Sequence, residues 1–163
     1  MYTSIASMLS RAEERKIPLW EVVLEDDLAE RGVERTASLE RMTLHWRAME
    51  EAERDYDPDR RSASGLVGGD GGRMEQARPE LCGPFFREVI ATALKMGECN
   101  ACMRRIVAAP TAGACGVLPA VLLPVQRRFH CQEARMVEGL YVAAGFGQVI
   151  AARASISGAE GGC

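Results

Sequence analysis

The chain has 163 residues and a formal net charge of −3, with 47% hydrophobic and 26% charged residues. That length suits one domain able to bury a real core, and the apolar-to-charged balance excludes a disordered segment. The slight acidity gives no reason to expect nucleic acid, but the charge is uneven: residues 1–80 carry 12 basic and 18 acidic side chains, residues 81–163 only 8 and 5. The second half is therefore expected to form the buried core or a partner-facing surface. Ile5, Met8, Leu9 and Ala12 recur at helical spacing behind Thr3 and Ser4, either of which could cap a first helix. Pro18 suits the first turn of a second helix with Leu19, Val22 and Val23 on its apolar face and Gly32 as its stop. Leu39, Met42, Trp46 and Met49 mark a third helix, with acidic residues on its opposite faces until Pro58. His45, beside that stripe, and His130 read as solvent-facing or partly packed.

Asp57 to Pro79 is a linker by composition, polar and rich in glycine. Phe85 to Glu98 predicts a fourth helix, rich in alanine and aliphatics and so buried on most sides, with Asn100 after its end. Met103–Ala109 is the stretch that could extend instead. A further helix could begin at Pro119, but Pro124 would kink or break it. Glu133 to Arg153 predicts a long last helix in which Gly139, Ala143 and Gly147 form a small-residue ridge open to close helix packing. The expected fold is thus all-α, a multi-helical domain with glycine-rich loops around a site. Residues 1–163 divide into a helical lead (1–56), a glycine-rich linker or loop (57–80) and an apolar helical core (81–163). No basic-then-apolar leader opens the chain. The longest apolar run, Val117–Val125, is too short to span a bilayer, so a cytoplasmic protein without a membrane partner is expected.

Two small-residue strings stand out, Ile106–Gly116 and Ser157–Cys163. Neither fits the phosphate-loop pattern nor the dinucleotide fingerprint. On chemistry alone they describe a pocket of small residues with thiols nearby. The chain has 6 cysteines, which without a secretory signal read as free thiols, cluster ligands or buried small residues. Cys99-x-x-Cys102 lacks the second pair that a zinc ribbon needs, so both are expected to pack.

At these strings the sequence resembles a known family. "RIVAAPTAGACGVLPAVL" (Arg105–Leu122), "ASISGAEGGC" (Ala154–Cys163), "SGLVGGD" (Ser64–Asp70) and "IPLWEVVLE" (Ile17–Glu25) are similar to the iron–sulfur-dependent L-serine dehydratases, specifically the α chain of the two-chain form. The resemblance implies L-serine as substrate and a β chain as partner. It also implies a [4Fe–4S] cluster held by three cysteines, with one iron left open for the serine hydroxyl. Loss of the α-proton and of hydroxide gives aminoacrylate, then pyruvate and ammonia. By the same resemblance Cys163 matches the first cluster cysteine, and Thr111, Ala112 and Gly113 lie in the substrate-side loop. Ser64, Gly69 and Asp70 lie in a loop near the active site, and Asn100 joins the substrate-binding set. Glu160 is a candidate general base, or it caps and orients its loop. Cys115 is assigned to packing. A pyridoxal phosphate mechanism is disfavoured by the sequence itself, because Lys16 and Lys95 are the only lysines and neither sits in a phosphate-cradling loop.

Two departures from the family pattern carry expectations. The family's α chain continues past Gly-Gly-Cys with further cluster cysteines, whereas this sequence ends on Cys163; a lone cysteine cannot hold a four-iron cube. The expectation is an enzyme portion inactive alone, the alternative a non-catalytic helical fragment that binds partner chains. "NACMRR" replaces the family's "NASMGR", so Arg104 stands where glycine is expected and could strain the loop.

Overall fold

The computed structural model describes residues 3–78, 80 and 82–154; among them it is all-α, with seven helices and no strand. No helix of the described residues is long and apolar enough to cross a membrane. The chain forms two compact units, Met1–Trp46 with Gln132–Cys163, and Arg47–Cys131.

The first unit contains α1 (Ile5–Arg15), α2 (Leu19–Arg31), the start of α3 (Arg35–Arg54) and α7 (Glu133–Ala151). Ser4 is the cap of α1: its hydroxyl accepts from the Ser7 amide at 3.1 Å. Pro18 is extended just ahead of α2, and Gly32 closes that helix in the left-handed region, its N–H donating to the Leu28 carbonyl. Met8, Val22, Val23, Trp46, Leu140 and Tyr141 fill the core. The Tyr141 phenol is satisfied by the Ser38 hydroxyl at 2.7 Å, and Ser38 in turn donates to Asp27 at 2.6 Å. Along α3 the stripe holds: Trp46 and Met49 are buried, Leu39 and Met42 half-buried, and His45 is exposed. The expected ridge on α7 is displaced. Gly139 and Gly147 have open space beside them, whereas a methyl on Gly145 would lie 2.6 Å from Met8 Cε and 2.7 Å from Val23 Cγ2. Gly139, Gly145 and Gly147 are equally small, and only the direction from which neighbours arrive separates them.

The second unit is built on α5 (Gly83–Ala101), which packs against both α4 (Asp70–Gln76) and α6 (Val117–Phe129). Several expectations are corrected here. The stretch read as a linker contains α4, because its Gly71 and Gly72 are buried against other chain segments. The expected helix Phe85–Glu98 extends at both ends, so Asn100 lies within it. It is also less covered than expected, with Phe86 61%, Ile90 38% and Leu94 36% exposed along one stripe. Pro119 falls in the first turn of α6, where an amide would be unpaired in any case. Pro124 does not end the helix. An interior proline costs about 3 kcal/mol, and both prolines are fully buried, so their packing offsets the loss. Met96, Cys99 and Cys115 form a small core with Ala52, Tyr56 and Ile106 against it.

Candidate functional site

The predicted substrate residues that the structure describes lie in two loops, each hydrogen-bonded to the last turn of α5: the 111–113 loop through Asn100, and the Ser64–Asp70 loop at its Asp70 end through Glu98. Asn100 donates its side-chain N–H to the Ala112 carbonyl at 3.1 Å, pinning the Thr111–Gly113 loop to the helix. In that loop the Thr111 hydroxyl accepts from the Ala114 amide at 3.3 Å, and the Cys115 amide donates to the Ala112 carbonyl at 3.2 Å. These turns run on into α6 and leave Ala112 and Gly113 exposed and Thr111 half-exposed. Exposed backbone in a small-residue loop can approach a substrate closely. The Ala109–Pro110 peptide at its start is cis.

The Ser64–Asp70 loop is held by a residue that sequence reasoning missed. Glu98 is 5% exposed, yet its carboxylate accepts from the Asp70 amide at 2.6 Å, from the Gly71 amide at 3.4 Å and from the Tyr56 hydroxyl. Tyr56 in turn accepts from the Gly72 amide at 3.2 Å. Burial, and then the bond to Glu98, push the Tyr56 phenol up to about 12. Gly68 and Gly69 take φ of +140° and +84°, values that L side chains rarely adopt, so the chain can turn into α4 there. Gly69 is buried, Ser64 is exposed with its hydroxyl 3.0 Å from that of Ser62, and Asp70 is exposed and paired with Arg73. One signal could have revealed Glu98: between Val89 and Met103 only Lys95 and Glu98 are charged.

Arg104 is not itself in the left-handed region. The left-handed residue is its neighbour Met103, φ +58°, which is 90% exposed, while the Arg104 guanidinium donates to the Asp55 carbonyl at 3.3 Å. Cys99, Cys102 and Cys115 are buried, and burial pushes the Cys99 and Cys115 thiols up. Cys99 donates to the Ala52 carbonyl at 3.5 Å and Cys115 to that of Met96 at 3.6 Å. Among the described residues no three His, Cys, Asp or Glu side chains stand close enough to hold one metal. Cys163, and with it Glu160, lies outside the described residues.

A cleft of about 750 Å³ opens elsewhere in this unit, lined by Glu53, Glu75, Phe85, Glu88, Lys95 and Arg127 among others. None of the predicted site residues lines it. Its charges answer one another: Lys95 is 2.9 Å from Glu75 and 3.5 Å from Glu53, and Arg127 bridges Glu53 at 2.8 Å and Glu88 at 2.6 Å. Arg54, Arg87 and Arg128 line it as well, so basic side chains outnumber acidic ones there, but no residue of the family motifs reaches it.

An all-helical unit that ties two small-residue loops to one helix end thus carries the motifs, and comparison with known proteins agrees. Residues 14–163 match the family described as serine dehydratase alpha chain. The chain belongs to that family. It is 30% identical over 166 residues to the probable L-serine dehydratase, alpha chain, of Bacillus subtilis, covering 100% of this chain and 55% of that protein. It is 40% identical over 83 residues to the L-serine dehydratase, alpha chain, of Peptoniphilus asaccharolyticus, covering 51% of this chain and 28% of that one. With the L-serine dehydratase TdcG of Escherichia coli it shares 44% identity over 72 residues, 44% of this chain and 16% of the relative. The chain therefore spans about half the length, or less, of these relatives. No solved structure matches it.

Proposed function

We propose that this chain supplies the serine-holding loops of an L-serine dehydratase, which eliminates water from L-serine and releases pyruvate and ammonia. The observation that carries the proposal is the bond from Asn100 to Ala112, which fixes an exposed small-residue loop beside a helix end. Thr111 and the backbone of Ala112 and Gly113 offer hydrogen bonds to the amino acid. Ser64, Gly69 and Asp70 contribute from the second loop. Glu160 remains the candidate base. Lys95, the lysine nearest this region in the chain, has its ammonium engaged by Glu75 and Glu53, which suits an ion-pairing role better than a Schiff base.

The [4Fe–4S] cluster implied by the resemblance finds no seat among the described residues. On this reading its ligands would be Cys163 and cysteines supplied by other protein. The relatives' printed name, alpha chain, supports a β chain as partner. So does the uncharged exposed stripe of Phe86, Ile90 and Leu94, since an apolar face in water favours a cover. That same stripe favours the second reading, a helical module that binds partner chains and does no chemistry by itself.

The test is anaerobic co-expression with a β chain and with a chain supplying the part of the relatives not matched here, followed by a coupled pyruvate assay. Serine turnover that falls at least tenfold in Thr111→Ala supports the proposal. An assembled complex whose turnover is indifferent to Thr111→Ala and Asp70→Ala together overturns it.

A further inference from the structure

Residues 57–69 leave the end of α3 and return at the start of α4, and both ends of this excursion close on one side chain. Tyr56 donates its hydroxyl to Glu98 from the near end, while the Asp70 and Gly71 amides donate to it from the far end, at 2.6 Å and 3.4 Å. The Gly72 amide, donating to Tyr56 at 3.2 Å, joins the two ends a second time. A 13-residue loop closed at its neck is the arrangement of an Ω-loop. Inside the loop a local turn is tied by bonds such as Ser62 N–H to the Val67 carbonyl at 2.9 Å, while the neck fixes where that turn stands against α5. Glu98 is buried, and a buried carboxylate without donors would be costly; here the donors are the loop's own termini. Its position on α5 also places it two residues before Asn100, which holds the other loop.

We propose that Glu98 is a positioning residue for serine: a buried carboxylate that clamps both ends of the 57–69 loop and so sets where Ser64, Gly69 and Asp70 stand relative to the substrate. The role rests on the dehydratase function proposed above, but the clamp itself can be tested without it. Glu98→Gln keeps an oxygen for the Asp70 and Gly71 amides while turning an N–H₂ toward Tyr56, so it should rescue much of the effect of Glu98→Ala. Tyr56→Phe removes the near-end donor and the acceptor of the Gly72 amide but leaves Glu98 bonded to the Asp70 and Gly71 amides, so it serves as the milder variant should Glu98→Ala fail to fold.

Amide hydrogen exchange on the full chain decides the clamp. Glu98→Ala is expected to lower protection of peptides covering residues 62–72 by on the order of tenfold. Peptides in α6 and α7 should stay within about twofold of wild type. Tyr56→Phe should move the same peptides in the same direction by less, and Glu98→Gln least. Unchanged exchange in the loop, or equal loosening everywhere, overturns the clamp. In the assembled enzyme Glu98→Ala should raise KM for serine on the order of tenfold, with Glu98→Gln close to wild type. A residue that merely supports folding would lower the active fraction, hence apparent kcat, at constant KM, and that result overturns the positioning role. A wild-type assembly that leaves serine untouched defeats the dehydratase function and the serine-positioning role together, while the exchange result still stands for or against the clamp.

Discussion

Replacing Gly71 by alanine sets two physical effects against each other, and the structure says which should win. Within a helix, alanine is favoured over glycine by about 0.5–1 kcal/mol, so a view from propensity alone predicts stabilisation of α4. The structure puts the new methyl 2.7 Å from Lys95 Cγ, 2.9 Å from Lys95 N and 3.1 Å from Lys95 Cα. Two of those three atoms are backbone inside α5 and cannot swing aside. Relief requires α4 to move away from α5, at an overpacking cost of about 1–3 kcal/mol. The same movement lengthens the bonds from Asp70 and Gly71 to the Glu98 carboxylate, each worth about 1.5–3 kcal/mol when one partner is charged. Partial loss of those bonds added to the clash, less the propensity gain, leaves a net destabilisation of about 2–4 kcal/mol. Urea unfolding followed by circular dichroism measures it. With a slope of about 1–3 kcal/mol per molar urea, the midpoint should fall by about 0.7–4 M. A midpoint equal to or above wild type would show that α4 and α5 do not approach as described, and the account of the Glu98 clamp would lose its geometry.

Three other outcomes follow from the same structure. Because Tyr56 in the folded protein is raised from 10.0 to about 12, it keeps its proton while the unfolded chain loses its own, so stability drains as pH rises from 10 toward 12. The loss has an upper limit of about 2.7 kcal/mol, reduced by the water that reaches a half-buried phenol; Tyr56→Phe should unfold with a shallower decline over that window, and an identical decline refutes the assignment. Iodoacetamide at neutral pH should label the half-buried Cys82 and Cys131 well before Cys99, Cys102 or Cys115, since the last three are buried and burial raises two of them; mass spectrometry showing early modification of Cys99 would contradict the packing role. Gly145→Ala drives a methyl into Met8 and Val23 and should cost about 1–3 kcal/mol, whereas Gly139→Ala, with open space beside it, should be neutral or stabilising. Equal thermal midpoints for those two variants would place α7 differently.

Local rules in the sequence carried the helices whose boundaries are set by local chemistry. Pro18 and Gly32 bracket α2 because their backbone preferences act within a residue or two, and Ser4 caps α1 for the same reason. The Trp46 and Met49 stripe was visible because helical periodicity repeats whatever the partner. What stayed hidden was set from a distance. A run of Gly-Gly-Asp-Gly-Gly says loop by propensity, yet α4 starts inside it because its first amides find Glu98, 28 residues further on. Pro124 reads as a helix breaker until its complete burial is known. At the candidate site the family resemblance pointed to Asn100, Thr111 and the Ser64–Asp70 loop. It did not point to Glu98, which on a helix looks like one more surface carboxylate until its 5% exposure is measured.

That contrast changes which part of the molecule organises the site. The small-residue loops draw attention first, but glycine and alanine have little means of fixing their own conformation. Each loop takes its position from a side chain on the last turn of α5: Glu98 for residues 57–69, Asn100 for the Thr111–Gly113 turn. Residues two apart on a helix point about 200° from each other, so the two loops are held on different sides of one helical turn, at a spacing set by the helix itself. Helical turns are stiff where glycine-rich chain is not, and the dehydration proposed above, which must hold a carboxylate, a leaving hydroxyl and an α-proton in register, would gain from a stiff reference. The tolerance of the site to substitution should therefore be greatest at the loop tips, near Gly65 and Leu66, and least at Glu98 and Asn100, where the loops are anchored.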